Sequence, residues 1–288
     1  MASANMKDIK RRIKSIESTM QITKAMELVA SSKLRKAKEK AEKAKPFFDT
    51  LYETMCEIAG SNKDFTSIFT SKRKINTVAL IVIAGDRGLA GGFNSNVLKP
   101  ALLKAKQLES ENKKVKIIPI GKKAVDFFEK RGFDINDKYA GVGETVNIYD
   151  AMVISGKIIN GFKKKEIDSV ELFYTTFLSA MSQEQRTKHL LPVSSLNNVE
   201  TTGFRQLTEY EPSAEAVFNS IVPQYLAGII FSAIVDSFAA EQASRRTAME
   251  SASDNAGEMI DNLSLIYNRA RQASITQEIT EIVSGSQI

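Results

Sequence analysis

The sequence predicts an α/β domain set between two long helices that pair antiparallel as a coiled coil. Apolar residues recur at alternating spacings of four and three along both ends of the 288-residue chain, which is the seam of a coiled coil. Between the ends, short continuous apolar runs alternate with helical stretches, the pattern of a mainly parallel sheet covered by helices. The ends also differ in charge. Residues 1–45 hold thirteen Lys/Arg against five Asp/Glu, a net of +8, whereas residues 241–288 hold four basic and seven acidic residues, a net of −3.

The first segment runs from about Lys7 to Ala59. Its apolar positions are Ile9, Ile13, Ile16 and Met20, then Ala30, Leu34, Ala37, Ala41, Ala44, Phe48, Leu51, Met55 and Ile58. Thr23 and Glu27 are polar in the same register, and beside them lies a displaced stripe of Ile22, Met26 and Val29. Two readings of that stripe stay open: a contact band for another chain, or a local stutter in the coil. Pro46 removes one backbone donor and predicts a kink or a restart.

The middle segment, roughly Lys74 to Leu196, changes period. Thr77–Ile83 and Val115–Ile120 read as strands, and Asn94–Glu111 and Lys122–Lys130 as helices. A further helix fits Tyr149–Lys163, and strands fit Ser169–Leu178 and Lys188–Val193. The last segment opens at Glu211-Pro212-Ser213, a helix start with proline near the first turn. Its heptad register reads Ala252, Ala256, Met259, Leu263, Ile266, Ala270 and Ala273, and beyond it the stripe shifts to Ile275, Ile279 and Ile282. Small residues line the seam at Ala239, Ala240, Ala243, Ala248, Ala252 and Ala256, which lets two helices approach closely. Pro223 predicts a kink near Val222, and Gly285 a stop. At 1.5 Å per residue the first helix is about 75 Å long and the last about 105 Å, so the end of the last can project beyond its partner.

Composition narrows the classes of function. At 43% hydrophobic and 26% charged residues the chain can build a core. The richest apolar run, Leu226–Val235, is ten residues long, short of the 18 or more that a membrane span needs. The N-terminus turns amphipathic and charged at once, so no removable leader is expected there. One cysteine, Cys56, and one histidine, His189, allow no internal disulfide and disfavour a His-based metal site; a reducing, cytoplasmic setting is expected. The basic first helix implies an acidic partner. It carries no aromatic residue before Phe47 to stack on bases or wedge into lipid, which favours a protein.

Candidate chemistry is thin. The loop Ala84–Phe93 lies between a strand and a helix, where phosphate-binding loops sit. Its glycines, Gly85, Gly88, Gly91 and Gly92, fit neither GxGxxG nor the GxxxxGK[ST] loop, so a structural turn is expected. Asp86 and Arg87 can pair with each other or with a neighbour, and no nucleophile and base complete a site. His189 reads as structural or solvent-facing, and Cys56 as a buried helical thiol.

Three passages nevertheless carry a specific resemblance: IKSIESTMQITKAMELVASSKLRKA (Ile13–Ala37), GDRGLAGGFN (Gly85–Asn94) and YNRARQASITQEITEIVSG (Tyr267–Gly285). Their order and the chain length resemble the gamma subunit of F-type ATP synthases, of the bacterial type, across nearly the whole chain. Departures are small: Ser286 where that family usually has alanine, and Ala90 where it often has cysteine. The paired cysteines of the redox-regulated plastid form are absent, so no thiol switch is expected. The fold this implies is α/β with long helices: an antiparallel left-handed coiled coil of the N- and C-terminal helices (1–59 and 211–288) plus a central α/β (Rossmann-like) domain (74–196). It implies a non-catalytic rotor shaft with no cofactor and no small-molecule substrate of its own. The implied partners are the alpha and beta subunits of a catalytic hexamer, the epsilon subunit and the membrane c-ring, at the cytoplasmic face of the cell membrane. Carried over by position, Met26 matches a residue facing the acidic loop of beta. Arg245, Gln272, Thr276 and Glu278 match polar residues that contact the catch regions of the ring. Two rivals remain: a nucleotide-dependent enzyme built on the α/β domain, and a basic coiled-coil scaffold for nucleic acid.

Overall fold

Continuous helices of 60 and 72 residues bracket the chain, about 90 Å and 108 Å long at the α-helical rise. The computed structural model describes Ala2 to Gly285 except residues 62–66, 72, 134, 136 and 194–209. In order its elements are α1 (Ala2–Ser61), β1 (Thr77–Ile83), α2 (Phe93–Ser110), β2 (Lys114–Ile120), α3 (Lys122–Glu129), α4 (Val142–Thr145), α5 (Ile148–Lys163), β3 (Ser169–Phe177), β4 (Gln183–Leu191) and α6 (Ala214–Gly285). Leu196 and Ser286 lie outside the described residues. Helix α1 runs through Pro46 and α6 through Pro223 without interruption, so neither proline marks a break or restart. Pro212 precedes α6 instead of entering its first turn. The residue that caps α6 is Ser213, whose hydroxyl accepts the Ala216 N–H at 3.2 Å.

By packing, the chain forms two compact units, Met1–Ser31 with Arg245–Ile288, and Ser32–Ser244. In the larger unit the sheet order is β2-β1-β3-β4, with β2, β1 and β3 parallel and β4 antiparallel at one edge. Strand β1 is central, and all but its first residue is buried, which is why its sequence is apolar on both faces. One face, through Val78, Leu80 and Val82, meets Val97, Ala101 and Ala105 of α2 and Ala124 and Phe128 of α3. The other face, through Ala79, Ile81, Ile83, Val170 and Leu172, meets Ile154, Ile158 and Phe162 of α5, together with Met55 and Ile58 of α1 and Phe218, Val222, Leu226 and Ile230 of α6. The inner parts of both long helices therefore belong to this core. Their antiparallel register shows in Tyr52 stacked on Tyr225, ring centroids 5.7 Å apart, and in Phe48 seated against Gly228. An 18-residue window of α6 reaches a mean hydropathy of 1.5, enough by composition for a membrane span, yet half of that window is buried inside the protein. Burial in the core accounts for its apolar character.

The smaller unit is the coiled coil proper. Thr23 Oγ1 and Ser253 Oγ lie 2.7 Å apart, and this contact sets an antiparallel register. Equal steps away from it place Glu27 opposite Met249, Met20 opposite Ala256, Ile16 opposite Ile260, Ile13 opposite Leu263, Ile9 opposite Tyr267 and Met6 opposite Ala270. Every one of these side chains is buried or half-buried. The sequence register for the last helix is thus half right. Ala256, Leu263 and Ala270 lie in the seam, but Ile260 and Tyr267 replace Met259 and Ile266, which are 56% and 51% exposed. Both alternatives are apolar, so spacing along one helix could not separate them; the partner helix decides. Thr23 and Glu27 keep their seam positions despite being polar, as a continuous heptad requires. In this register Ala2 opposes Ser274, so α6 extends past the start of α1 from Ile275 onward.

Candidate subunit-contact surfaces

The glycine-rich loop is a joint. Gly85 N–H donates to Asn94 Oδ1 at 2.8 Å, and Asn94 Nδ2 donates to the Arg87 carbonyl at 3.2 Å. Asp86 does not pair with Arg87. Its Oδ1 accepts the Lys122 N–H at the start of α3 and the Gly141 N–H, each at 2.8 Å. The anion at the start of α3 is therefore the protein's own carboxylate, supplied by the loop that precedes α2. A Cβ on Gly85 would lie 2.8 Å from the Glu241 carboxyl carbon, so any side chain there would displace the Glu241 carboxylate. Ser244 Oγ donates to the Ala90 carbonyl at 2.9 Å and seats the loop on α6.

The remaining chemistry-bearing groups stay dispersed. Cys56 is buried, and burial pushes its thiol pKa up. His189 is exposed on β4. Among the described residues no three His, Cys, Asp or Glu side chains converge on a common point. A cavity of about 460 Å³ lies between α1, α6 and the β3–β4 edge, lined by Tyr52, Tyr174, Lys188, Tyr225 and Asp236 among others. Burial raises the Asp236 pKa above its ordinary 3.8, while the Phe177 N–H it accepts at 3.0 Å pulls the other way. A carboxyl with a raised folded-state pKa contributes stability below its unfolded pKa and loses that contribution as pH rises through the folded value. Asp236→Asn keeps the acceptor oxygen and removes the charge. Urea unfolding should then show a smaller loss of stability on raising the pH from about 4 to 7 than in the parent chain. An unchanged pH slope would contradict the assignment.

The coiled-coil unit carries exposed apolar sets able to engage another protein. Ile22, Leu28 and Val29 are 59%, 65% and 54% exposed, and Met26 beside them is half-buried. On α6, Met259, Leu265 and Ile266 form another exposed apolar set, and the extending end bares Ile275, Ile279, Ile282 and Val283 at 47%, 56%, 72% and 52%. Water contact with so many large apolar side chains is unfavourable, and patches of this kind mark interaction sites. The five polar or apolar residues carried over by position are not brought together. Gln272, Thr276 and Glu278 lie near the free end of α6 and are exposed, with Thr276 Oγ1 donating back to the Gln272 carbonyl at 2.9 Å. Arg245 lies far along the same helix and is only 7% exposed. The stripe of Leu265 and Ile266 was missed by sequence reading, because Ile266 was assigned to the seam; the run Leu263-Ser-Leu-Ile-Tyr267, apolar beyond one stripe's width, was the available signal.

Bare apolar stripes on both helices of the two-helix unit mark surfaces for contact with another protein. Comparison with known proteins agrees. Residues 5–287 match the family model described as ATP synthase. The ATP synthase gamma chain of Ruminococcus albus is 58% identical over 284 residues, covering 98% of each chain. The sodium ion specific ATP synthase gamma chain of Acetobacterium woodii is 41% identical over 300 residues, again covering 98% of each. Among solved structures, a chain from the central stalk and c-ring of the Tetrahymena thermophila mitochondrial ATP synthase superposes with a TM-score of 0.59 at 26% identity, over 81% of this chain and 99% of that one. A chain of the Euglena gracilis mitochondrial ATP synthase shares the fold, with a TM-score of 0.67 at 16% identity over 99% and 94%. The chain belongs to the ATP synthase gamma-chain family. It is a non-catalytic stalk subunit of a membrane-associated complex.

Proposed function

We propose that this chain is the central rotor shaft of an F-type ATP synthase. Its rotation couples ion flow through the membrane sector to ATP synthesis and hydrolysis in an alpha–beta hexamer. Its partners in this reading are the alpha and beta subunits around the coiled coil, with epsilon and the c-ring at the α/β unit. The complex would stand at the cytoplasmic face of a bacterial membrane. The observation that carries the reading is the antiparallel two-helix unit, bare along apolar stripes on both helices and extending into a single exposed helix from Ile275. An asymmetric rod presents a different surface to each surrounding subunit. As it turns, it biases each one's conformational equilibrium by whatever differential contact it makes.

Met26, Arg245, Gln272, Thr276 and Glu278 are proposed to transmit or time torque. Support differs by residue. Met26 sits at the edge of the bare Ile22–Val29 band, and Gln272, Thr276 and Glu278 sit on the exposed end. Arg245, buried within its own chain, would act by holding the helix surface in shape. Reconstituting the chain with alpha, beta and epsilon and measuring hydrolysis-driven ion pumping tests the assignment. Arg245→Ala and Gln272→Ala should each lower assembly yield or pumping per ATP, and wild-type values for both would remove the assigned roles. A chain that failed to co-purify with alpha and beta, but bound a mononucleotide saturably, would favour the enzyme reading instead.

A further inference from the structure

Apolar packing is non-directional, and beyond the Phe48 and Tyr52 contacts the seam between α1 and α6 turns to smaller side chains. Leu34 and Ala37 meet Ala239 and Ala243 there, side chains too small to interlock strongly. Helix α6 is bonded to β3 directly, through Asp236 to the Phe177 N–H and Ser237 to Thr175, whereas the charge-assisted contacts of α1 run to one short segment, residues 141–147. Its beginning is held by Asp86, whose carboxylate accepts both the Gly141 N–H and the Lys122 N–H. In its middle, Glu144 pairs with Lys33 of α1 at 2.5 Å. Near its end the ammonium of Lys40 donates to the carbonyl of Val146, a fully buried residue. The end itself is fixed by a capping box at the start of α5, in which the side chains of Asn147 and Asp150 each accept the other's backbone N–H. Lys33 and Lys40 lie one heptad apart and so share a face of α1. The other long helix touches the same segment, because a Cβ on Gly143 would lie 3.4 Å from the Phe238 ring.

We propose that residues 141–147 form a strap that ties α1 to the sheet alongside α6, with Lys33, Lys40, Asp86 and Glu144 as positioning residues for torque transfer. The proposal rests on the rotor reading above. A sheet turned about the helix axis must carry the helices with it, and apolar contact over alanines resists sliding weakly. Charge-assisted hydrogen bonds have fixed directions and resist it. Burial lowers the Lys40 pKa while the Asp150 carboxylate opposes that shift, as suits an ammonium partly sunk beneath the strap.

The test uses the full chain reconstituted with its alpha, beta and membrane partners, comparing the parent with Glu144→Gln, Lys40→Met and the exchange Lys33→Glu/Glu144→Lys. Hydrogen exchange should speed up about tenfold at residues 141–147 in the first two variants while β1 and β3 stay protected. ATP hydrolysis should continue, but ions pumped per ATP should fall as the opposing gradient is raised. The double exchange should recover most of the loss that Glu144→Lys alone causes. Faster strap exchange with wild-type pumping at every gradient would overturn the proposal, as would slow exchange in both single variants. Should Lys40→Met also lose protection in the sheet, Glu144→Gln, at an exposed position, decides. If the unmodified chain fails to assemble with alpha and beta, the rotor reading itself falls, which is a separate outcome.

Discussion

Gly121→Ala should be among the most damaging single-methyl substitutions in the α/β unit, costing about 3 kcal/mol or more. Gly121 sits between β2 and α3 at φ 93° and ψ 140°, a conformation that only glycine adopts without strain; forcing a side chain into it costs roughly 1–3 kcal/mol. Space is a second obstacle. A Cβ there would stand 1.9 Å from the Ala84 carbonyl oxygen, and that oxygen cannot retreat. Ala84 N–H donates to the Ile120 carbonyl at 2.9 Å, and Gly121 N–H donates to the Tyr139 carbonyl at 2.7 Å. Relief would therefore require breaking ladder hydrogen bonds on both sides of the turn, adding overpacking costs of about 1–3 kcal/mol. Two other glycines separate these terms. Gly132 has φ 81° with nothing near its would-be Cβ, so Gly132→Ala should show strain alone, about 1 kcal/mol. Gly156 lies in α5 with open space, so Gly156→Ala should be neutral or stabilising by up to about 1 kcal/mol. Urea unfolding followed by tyrosine emission, in a chain with seven Tyr and no Trp, would order the three midpoints. Equal midpoints for Gly121→Ala and Gly132→Ala would show that the contact with Ala84 does not matter.

That glycine also illustrates what could be read from the sequence and what could not. The elements were legible because each period is a local property. Thr77–Ile83 was placed residue for residue, and the remaining strand and helix boundaries mostly fell within two residues. Strand β4 was found only from Lys188, because its first five residues, Gln-Glu-Gln-Arg-Thr, carry no apolar alternation; they stand at an exposed edge and pair only with β3. What lay beyond reach was everything decided by a distant partner. Met259 and Ile260 are equally good seam residues until Ile16 selects between them. Asp86 looked like a neighbour for Arg87 until the chain brought Lys122 and Gly141 to it. A restart at Pro46 is excluded for the same reason, since Pro46 and Pro223 lie in continuous helices held by the core around them, and tertiary packing outweighs local propensity. For the contact surface, sequence marked the Ile22–Val29 stripe but could not choose between a stutter and a bare band. Continuous burial of the heptad through Thr23 and Glu27 favours the band, because a stutter would have moved the seam.

Met26→Lys should leave the isolated chain folded and uncouple the assembled complex. Met26 is half-buried at the edge of the seam, and its neighbours on the stripe, Ile22 and Val29, are more than half exposed. In the free chain a lysine here can lay its stem along the helix and keep its ammonium in water, so thermal stability should change by less than about 1 kcal/mol. The cost arises only when another subunit covers the band. An ammonium trapped there must be desolvated or must seize an acidic partner, and either raises or lowers one rotational position relative to the others by several kcal/mol. Differential contact is what a rotor transmits, so such a distortion should appear as fewer ions pumped per ATP hydrolysed, with hydrolysis itself persisting. Met26→Leu conserves volume and apolarity and should be nearly neutral. Met26→Gln adds polarity without charge and should fall between the two, which separates a charge effect from loss of apolar contact. A normal pumping ratio for Met26→Lys, or a loss of stability in the free chain as large as the loss in the complex, would place Met26 in the folding of this chain and remove it from the transmission of torque.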